Sequence, residues 1–192
     1  METLITADDL QARVRALANE IRRDHPDGVH LIGVLKGSFI FLADLARAIA
    51  AGTDGKGVTM DFIAASSYGS SANSSGQVQL LKDLGAPIQG RDVVIVEDII
   101  DTGLTLTYLQ NMLGARKPRR LRSACLLSKP SRRKVEVNVE YVGFAIEDRF
   151  VVGYASTTPK PTGPCRSSAS SRRRSRLQCA TAGHRLHPDG GT

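Results

Sequence analysis

The apolar positions of the first 155 residues follow two spacings, one typical of helices and the other of strands. Thr6 can cap a first helix, whose apolar residues recur every three or four positions: Leu10, Val14, Leu17 and Ile21. A second helix is predicted over 39–50, where most residues are apolar. A third is indicated after Asp101 by Leu106, Leu109, Met112 and Leu113.

The continuous apolar run at 93–96 predicts a strand that is covered on both faces, as in a parallel sheet, and 30–35 (HLIGVL) predicts a further core strand. Three further strands are predicted at 58–65, 77–82 and 119–127. Because 192 residues are enough for one domain with a real core, we predict a single α/β domain over 1–155. Its sheet is expected to be central and mostly parallel, with helices on its flanks.

The loop between two of these strands has two interpretations. Residues 66–76 are small and polar apart from Tyr68, and this composition favours a disordered linker. However, a long loop inside a compact domain is often a functional lid. Tyr68 supplies one large side chain that could close over a ligand, so both interpretations remain open on composition.

Acids stand at the end of the most apolar strand. Glu97 and Asp98 follow 93–96, and Asp101 opens the sequence Asp-Thr-Gly-Leu-Thr before the third helix. Ligands of open α/β sheets bind beyond the carboxyl ends of the strands, and free N–H groups at a helix start favour an anion. The pattern predicts a phosphate cradle beside two carboxylates, although Asp and Thr also commonly cap helices.

Charge is concentrated at one end of the chain. The net charge is +7 and the pI is about 9.7, but residues 156–192 account for six of these seven charges. The basic pI is therefore no argument that the domain binds nucleic acid. We also expect no membrane association, because no apolar run approaches spanning length. Cys125 lies in an apolar segment and is expected to be a buried thiol in a reducing cytoplasm.

The acidic stretch resembles the phosphoribosyl-pyrophosphate (PRPP) signature of type I phosphoribosyltransferases. Lys-Gly-Ser after the first apolar strand resembles that family's pyrophosphate loop, and Ser67-Tyr68 resembles a lid. Cys-Leu-Leu-Ser-Lys and Asp-Arg-Phe-Val-Val-Gly-Tyr resemble the purine-recognition half of hypoxanthine(-guanine) phosphoribosyltransferases. The resemblance is colinear over roughly 4–155. It implies the phosphoribosyltransferase type I fold, with a small hood over the sheet.

The resemblance also implies a role for each matched residue. Asp101 would be the catalytic base. The PRPP site would comprise Glu97, Asp98, Asp101, Thr102, Gly103, Leu104 and Thr105. The pyrophosphate loop would be Lys36, Gly37 and Ser38, and the lid Ser67 and Tyr68. The purine would contact Lys129, Phe150 and Val151, and Mg²⁺ would be held by Glu97 and Asp98.

The implied reaction joins hypoxanthine or guanine to PRPP and gives IMP or GMP plus pyrophosphate. The implied partners are PRPP, a 6-oxopurine base and further copies of the chain in a dimer or tetramer. A PRPP-fold regulator that binds RNA through its arginine-rich tail is an alternative function. A catalytically impaired remnant is another, because the match stops after Ala155.

The tail over 156–192 departs from the family. Thr157 stands where the family has an acid, and the tail lacks Val, Ile, Phe, Tyr and Met. We therefore predict that it is disordered and supplies no core strand. A one-nucleotide frame change near codon 156 would explain the departure. Ser-Thr-Thr-Pro can be encoded so that the shifted frame reads Leu-Asp-Tyr-Ala, and 166–172 so that it reads Pro-Phe-Ile-Gly-Val-Leu-Lys. A genuine basic extension remains the alternative.

Overall fold

The computed structural model describes residues 2–53, 57–67, 78–154 and 177–179. The helices are α1 (Ala7–Asp24), α2 (Phe39–Ala50) and α3 (Leu104–Gly114), with a 3₁₀ turn at Pro130–Arg132. The strands are β1 (Glu2–Ile5), β2 (Val29–Leu35), β3 (Val58–Ser67), β4 (Val78–Lys82), β5 (Asp92–Ile100), β6 (Arg120–Ser128), β7 (Tyr141–Ala145), β8 (Val151–Gly153) and β9 (Leu177–Cys179). Within these residues, no helix is long and apolar enough to cross a membrane.

Six strands form the main sheet in the order β4-β3-β2-β5-β6-β7. Every neighbouring pair is parallel except β3 and β4, which are antiparallel. The predicted α/β domain with a mostly parallel sheet is therefore confirmed. β2 and β5 lie side by side at its centre, and β6 pairs with β5 so that Ile100 is opposite Ser128.

Helices cover both faces of this sheet, and alternate residues of the central strands serve the two sides. On one side, α1 and α2 pack with Leu31, Val94 and Val96. On the other side, α3 packs with residues that include Ile32 and Ile95. Because successive strand residues point to opposite faces, continuous apolar runs were needed to bury both. Thr6 caps α1 as predicted, and its hydroxyl oxygen accepts from the Asp9 N–H at 3.2 Å.

A small antiparallel sheet, in the order β1-β9-β8, stands apart from the main one. It joins the start of the chain to residues 151–153 through three residues of the tail, with Thr3 opposite Gln178 and Gly153 opposite Leu177. The structure describes one three-residue strand in the tail, β9, and the predicted disorder of 156–192 stays a prediction. So short a strand pairs through its backbone N–H and C=O groups, and the low apolar content of the tail does not predict such pairing. Residues 155–176 and 180–192 lie outside the described residues.

The segment before β7 alternates in burial without pairing as a strand. Val135, Val137 and Val139 are half-buried, and the residues between them are exposed. Val135 and Val137 pack against Gly103, whose φ is +85°. A Cβ at Gly103 would lie 3.1 Å from the Val137 side chain and 3.2 Å from Val135. Glycine is therefore required at this position by the left-handed backbone and by internal packing.

Candidate active site

The carboxyl ends of three adjacent strands bring the predicted site segments together. The Lys36-Gly37-Ser38 loop follows β2, the Asp101-Thr102-Gly103 turn follows β5, and Lys129 follows β6. The loop after β2 lies directly against Asp98 of β5, since a Cβ built on Gly37 would lie 2.1 Å from Asp98 Oδ2. The predicted pyrophosphate loop and one predicted ribose-binding acid are therefore in contact.

The loop after β2 is tightly folded. Both donors of Ser38 point to the Val34 carbonyl oxygen, which lies 2.7 Å from its hydroxyl and 3.3 Å from its backbone nitrogen. The peptide between Leu35 and Lys36 is cis. Ser38 is fully buried, so its hydroxyl is used within the loop. Its predicted role as a pyrophosphate ligand rests on an N–H that already has an acceptor, and that role stays a prediction.

Glu97 and Asp98 occupy an environment that disfavours their charged forms. Burial raises the pKa of Glu97 well above its usual range, and the neighbouring charge of Asp98 adds to the effect. Burial also raises the pKa of Asp98, although hydrogen bonds from the backbone N–H groups of Ile99 and Asp98 oppose it. Two adjacent, poorly hydrated acids suit a divalent cation, which would stabilise both anions.

Glu97 and Asp98 could supply two ligands to Mg²⁺ but not a complete coordination sphere. Within the described residues, no group of three or more His, Cys, Asp or Glu side chains could hold a metal. Mg²⁺ prefers oxygen ligands, keeps several waters and is commonly bound by one or two carboxylates together with substrate phosphates. The Glu97-Asp98 pair fits that mode of binding, in which the substrate completes the coordination.

The turn after β5 presents open backbone donors. Gly103 precedes α3, whose first N–H groups lack partners within the helix. The Thr102 hydroxyl oxygen accepts from the Leu104 N–H at 3.4 Å, and the Thr102 carbonyl accepts from the Lys134 N–H at 2.9 Å. Thr102, Leu104 and Thr105 are all half-buried. The predicted cradle is therefore the start of a helix whose preceding turn is anchored to Lys134, and such helix starts favour an anion.

The predicted purine residues lie on the β6 side of the turn. Lys129 is only 8% exposed, and its Nζ donates to Asp148 Oδ1 at 3.4 Å. Phe150 is 50% exposed, which is unusual for a large apolar side chain, and Val151 begins β8. The buried amine and the exposed ring are the polar and apolar features that a flat heterocycle needs. Ser67 ends β3, whereas Tyr68 lies outside the described residues, so the lid stays a prediction.

Two arginines that the sequence reasoning did not single out complete this region. Arg132 donates from Nε to Asp101 Oδ1 at 3.0 Å and from a terminal nitrogen to Asp148 Oδ2 at 3.4 Å. Arg133 donates to the carbonyls of Ile100 and Asp101 at 2.7 and 2.5 Å. The sequence could have indicated these arginines by their position, a few residues after the predicted strand that leads to Lys129.

A separate cavity of about 610 Å³ opens at the other end of the sheet. It is lined by the start of β2 and by residues of α1 that include Arg22 and Arg23. Both arginines already have partners, since Arg22 donates to Asn19 and Arg23 pairs with Asp24. The chemistry that the sequence predicts is located at the carboxyl ends of the strands, and we assign no function to this cavity.

Comparison with known proteins agrees with this geometry. Residues 6–158 match the family described as the phosphoribosyl transferase domain. A hypoxanthine-guanine phosphoribosyltransferase of Mycobacterium avium is 50% identical over 158 residues, which is 79% of this chain and 75% of that protein. A crystal structure of a hypoxanthine-guanine phosphoribosyltransferase from Bacillus anthracis is 49% identical with a TM-score of 0.74, covering 80% of this chain and 88% of that one.

A third similar protein is the hypoxanthine phosphoribosyltransferase of Trypanosoma cruzi, solved in complex with the product IMP. It is 41% identical with a TM-score of 0.73, and the match covers 80% of this chain and 84% of that chain. These similarities extend over both the sheet and the segments that form the site. The chain therefore belongs to the phosphoribosyltransferase family and, within it, to the hypoxanthine(-guanine) phosphoribosyltransferases.

Proposed function

We propose that this protein salvages purines by joining hypoxanthine or guanine to PRPP, which gives IMP or GMP and pyrophosphate. The observation that carries the proposal is the meeting of three segments at one edge of the sheet. They are the Lys36-Gly37-Ser38 loop, the Asp101–Thr105 turn and the buried Lys129. Together they offer a pyrophosphate loop, a phosphate cradle and a donor for a 6-oxo group.

The two phosphate-bearing ends of PRPP are assigned to separate loops. The N–H groups that begin α3, with the hydroxyls of Thr102 and Thr105, bind the 5′-phosphate. Lys36 and the Gly37 N–H bind the pyrophosphate. Glu97 and Asp98 bind the ribose hydroxyls and would hold Mg²⁺. When bound, Mg²⁺ neutralises charge on the pyrophosphate leaving group.

Asp101 takes the proton of the reaction. Purine N9 forms a bond to ribose C1 as the bond from C1 to the pyrophosphate oxygen breaks. The proton at purine N7 passes to the Asp101 carboxylate, and the electron pair of the broken bond leaves with the pyrophosphate. A positioned base of this kind is typically worth about 10²–10⁴ in rate. Holding both reactants in line is the other contribution of the site.

Purine specificity is assigned to three residues at the ends of β6 and β8. Lys129 Nζ donates to the 6-oxygen of hypoxanthine or guanine, whereas the 6-amino group of adenine is itself a donor. The Phe150 ring stacks on the purine, and the Val151 backbone meets its edge. A site that hydrogen-bonds one substrate atom rejects analogues that lack the matching acceptor.

The proposal includes a cytoplasmic location, which suits the free, buried thiol of Cys125. It also includes assembly with further copies into a dimer or tetramer. Reduced activity of this form stays an open alternative, because Thr157 replaces an acid that the family resemblance places at that position. The RNA-binding regulator is not favoured, since residues 6–158 match the phosphoribosyl transferase domain and the similar proteins are hypoxanthine(-guanine) phosphoribosyltransferases.

A direct assay tests the function. The purified protein is incubated with PRPP, Mg²⁺ and one base at a time, either hypoxanthine, guanine, xanthine or adenine, and nucleotide is measured by chromatography. We expect IMP from hypoxanthine or GMP from guanine, and no AMP from adenine. Turnover of adenine alone, or RNA binding without any nucleotide formed, would contradict the proposal.

A further inference from the structure

Arg132 connects the proposed base to the proposed purine anchor through a chain of charged contacts. Its Nε lies 3.0 Å from Asp101 Oδ1, and one of its terminal nitrogens lies 3.4 Å from Asp148 Oδ2. The other oxygen of Asp148 accepts from Lys129 Nζ at 3.4 Å. A guanidinium can hold two carboxylates at once, because its five N–H donors form a rigid planar fork.

The neighbouring Arg133 has a different kind of contact. Its guanidinium donates to the backbone carbonyls of Ile100 and Asp101 and to the Ser128 hydroxyl, the last at 2.9 Å. Arg133 therefore fixes the backbone of the turn. Among the described residues, the Arg132 guanidinium contacts only side chains, and Arg132 is 48% exposed while Asp101 is 43% exposed. Its contacts can be broken without disturbing the backbone of the site.

The contact between Arg132 and Asp101 competes with the contact that the purine needs, because Asp101 Oδ1 already accepts from Arg132 Nε at 3.0 Å. The purine also needs two partners that are engaged in this chain, namely the Asp101 carboxylate for N7–H and Lys129 Nζ for the 6-oxygen. Partly exposed ion pairs of this kind are weak, so an arriving ligand can replace them.

We propose that Arg132 is a positioning residue. It holds the Asp101 carboxylate in an ion pair in the ligand-free protein and releases it when the purine binds. Asp148 is the second holding point of Arg132, and its contact with Lys129 links the purine anchor to the same rearrangement. The inference rests on the proposed function, because it requires Asp101 and Lys129 to meet the purine. It predicts that Arg132 opposes purine binding and has no part in the chemical step.

The experiment compares the unmutated protein with Arg132→Gln. Isothermal titration with IMP measures product binding, and single-turnover kinetics with saturating PRPP and Mg²⁺ measure the hypoxanthine KM and the limiting rate. Two weak, exposed ion pairs correspond to about a two- to tenfold effect. We expect Arg132→Gln to bind IMP more tightly and to lower the hypoxanthine KM by that factor, with a limiting rate within about twofold.

Salt provides a second readout. High salt screens exposed ion pairs, so the difference in IMP affinity between the two proteins should shrink as the salt concentration rises. The matched control is Arg116→Gln, which removes the same charge from another partly exposed arginine, paired with Asp83 at 2.8 Å near the end of α3. We expect the control to match the unmutated protein in IMP affinity, hypoxanthine KM and limiting rate.

The other outcomes contradict the inference in distinguishable ways. Weaker IMP binding in Arg132→Gln would mean that Arg132 contacts the nucleotide. A large fall in the limiting rate at unchanged KM would place Arg132 in the chemical step. Identical behaviour of both proteins would mean that the ion pair has no role. If the unmutated protein neither binds IMP nor turns over, the proposed function fails and the inference fails with it.

Discussion

The Asp98 carboxylate fills the space into which any side chain at position 37 would project. A Cβ added to Gly37 would lie 2.1 Å from Oδ2 and 2.5 Å from Cγ of Asp98. Such an approach is possible only because Gly37 has no side chain, and it places the Lys36-Gly37-Ser38 loop directly against an acid of the proposed PRPP site.

This contact predicts the effect of Gly37→Ala. The added methyl group must push either the loop or Asp98 away, so PRPP should bind more weakly. We expect a rise in the PRPP KM of at least about tenfold, since a misplacement of about 1 Å can cost 10²-fold. Titration of PRPP in the nucleotide assay measures it. Gly85→Ala is a suitable control, because its nearest neighbour would be 3.7 Å away. An unchanged PRPP KM would show that the contact is not needed.

Asp101→Asn should lower kcat by about 10²-fold or more, because the amide cannot accept the N7 proton. PRPP binding should largely survive, since the backbone of the cradle and its anchor to Lys134 are unchanged. The limiting rate is measured by single turnover, so that product release does not hide the chemical step. A variant with full single-turnover rate would remove Asp101 from the role of base.

Lys129→Ala should weaken the use of hypoxanthine and guanine far more than the binding of PRPP. The variant loses the donor to the 6-oxygen and leaves Asp148 without its contact to Lys129. Separate titrations with PRPP and with base distinguish the two effects. If PRPP affinity collapses while base affinity is intact, Lys129 belongs to the phosphate side of the site.

The ion pairs of Asp92 predict a stability change in acid. Hydrogen bonds from Arg119, at 2.7 and 2.8 Å, and from His25 lower the pKa of Asp92 to about 2. Because this pKa is depressed in the folded state, the stabilisation is present above the unfolded value of about 3.9 and is lost as the pH falls towards 2. Asp92→Asn should therefore destabilise the protein at neutral pH, by no more than about 2 kcal/mol.

Urea unfolding of both proteins from pH 6 to pH 2 measures this effect, and the difference in free energy of unfolding should disappear at the acid end. Asp83→Asn is a comparison at a more exposed carboxylate, which is 50% accessible beside Arg116. A constant difference across the whole range would mean that Asp92 stabilises the fold by packing rather than by charge.

The tail makes a prediction about the gene. If a single-nucleotide change near codon 156 produced it, the neighbouring frame should encode Leu-Asp-Tyr and, further on, Gly-Val-Leu. The restored protein should then show higher turnover and a higher melting temperature, because it regains an acid and an apolar closing strand. Sequencing the gene decides the first point. If no single insertion or deletion opens such a frame, residues 156–192 are a genuine extension.

Most of the sheet could be predicted because its central strands must be apolar on both faces. The apolar residues within 30–35 and 93–96 meet that requirement, and Thr6 indicates the start of α1. β1 and β9 gave no such signal, since each pairs through its backbone in a small sheet. The contact of Arg132 with Asp101 also could not be predicted. It joins positions 31 residues apart and depends on where a 3₁₀ turn directs one side chain.

The pairing of β5 with β6 sets the spacing between Asp101 and Lys129, the two side chains that are proposed to contact the purine. Ile100 lies opposite Ser128, and the ladder continues as the Lys129 N–H donates to the Ile100 carbonyl at 3.0 Å. Asp101, the proposed catalytic base, and Lys129, the proposed purine anchor, thus follow neighbouring strands. Neighbouring strands of a sheet lie about 4.8 Å apart. One residue inserted in β6 would turn Lys129 to the opposite face. On the proposed roles, discrimination among purine bases should then be lost, so the alignment of these two strands would determine which base is used.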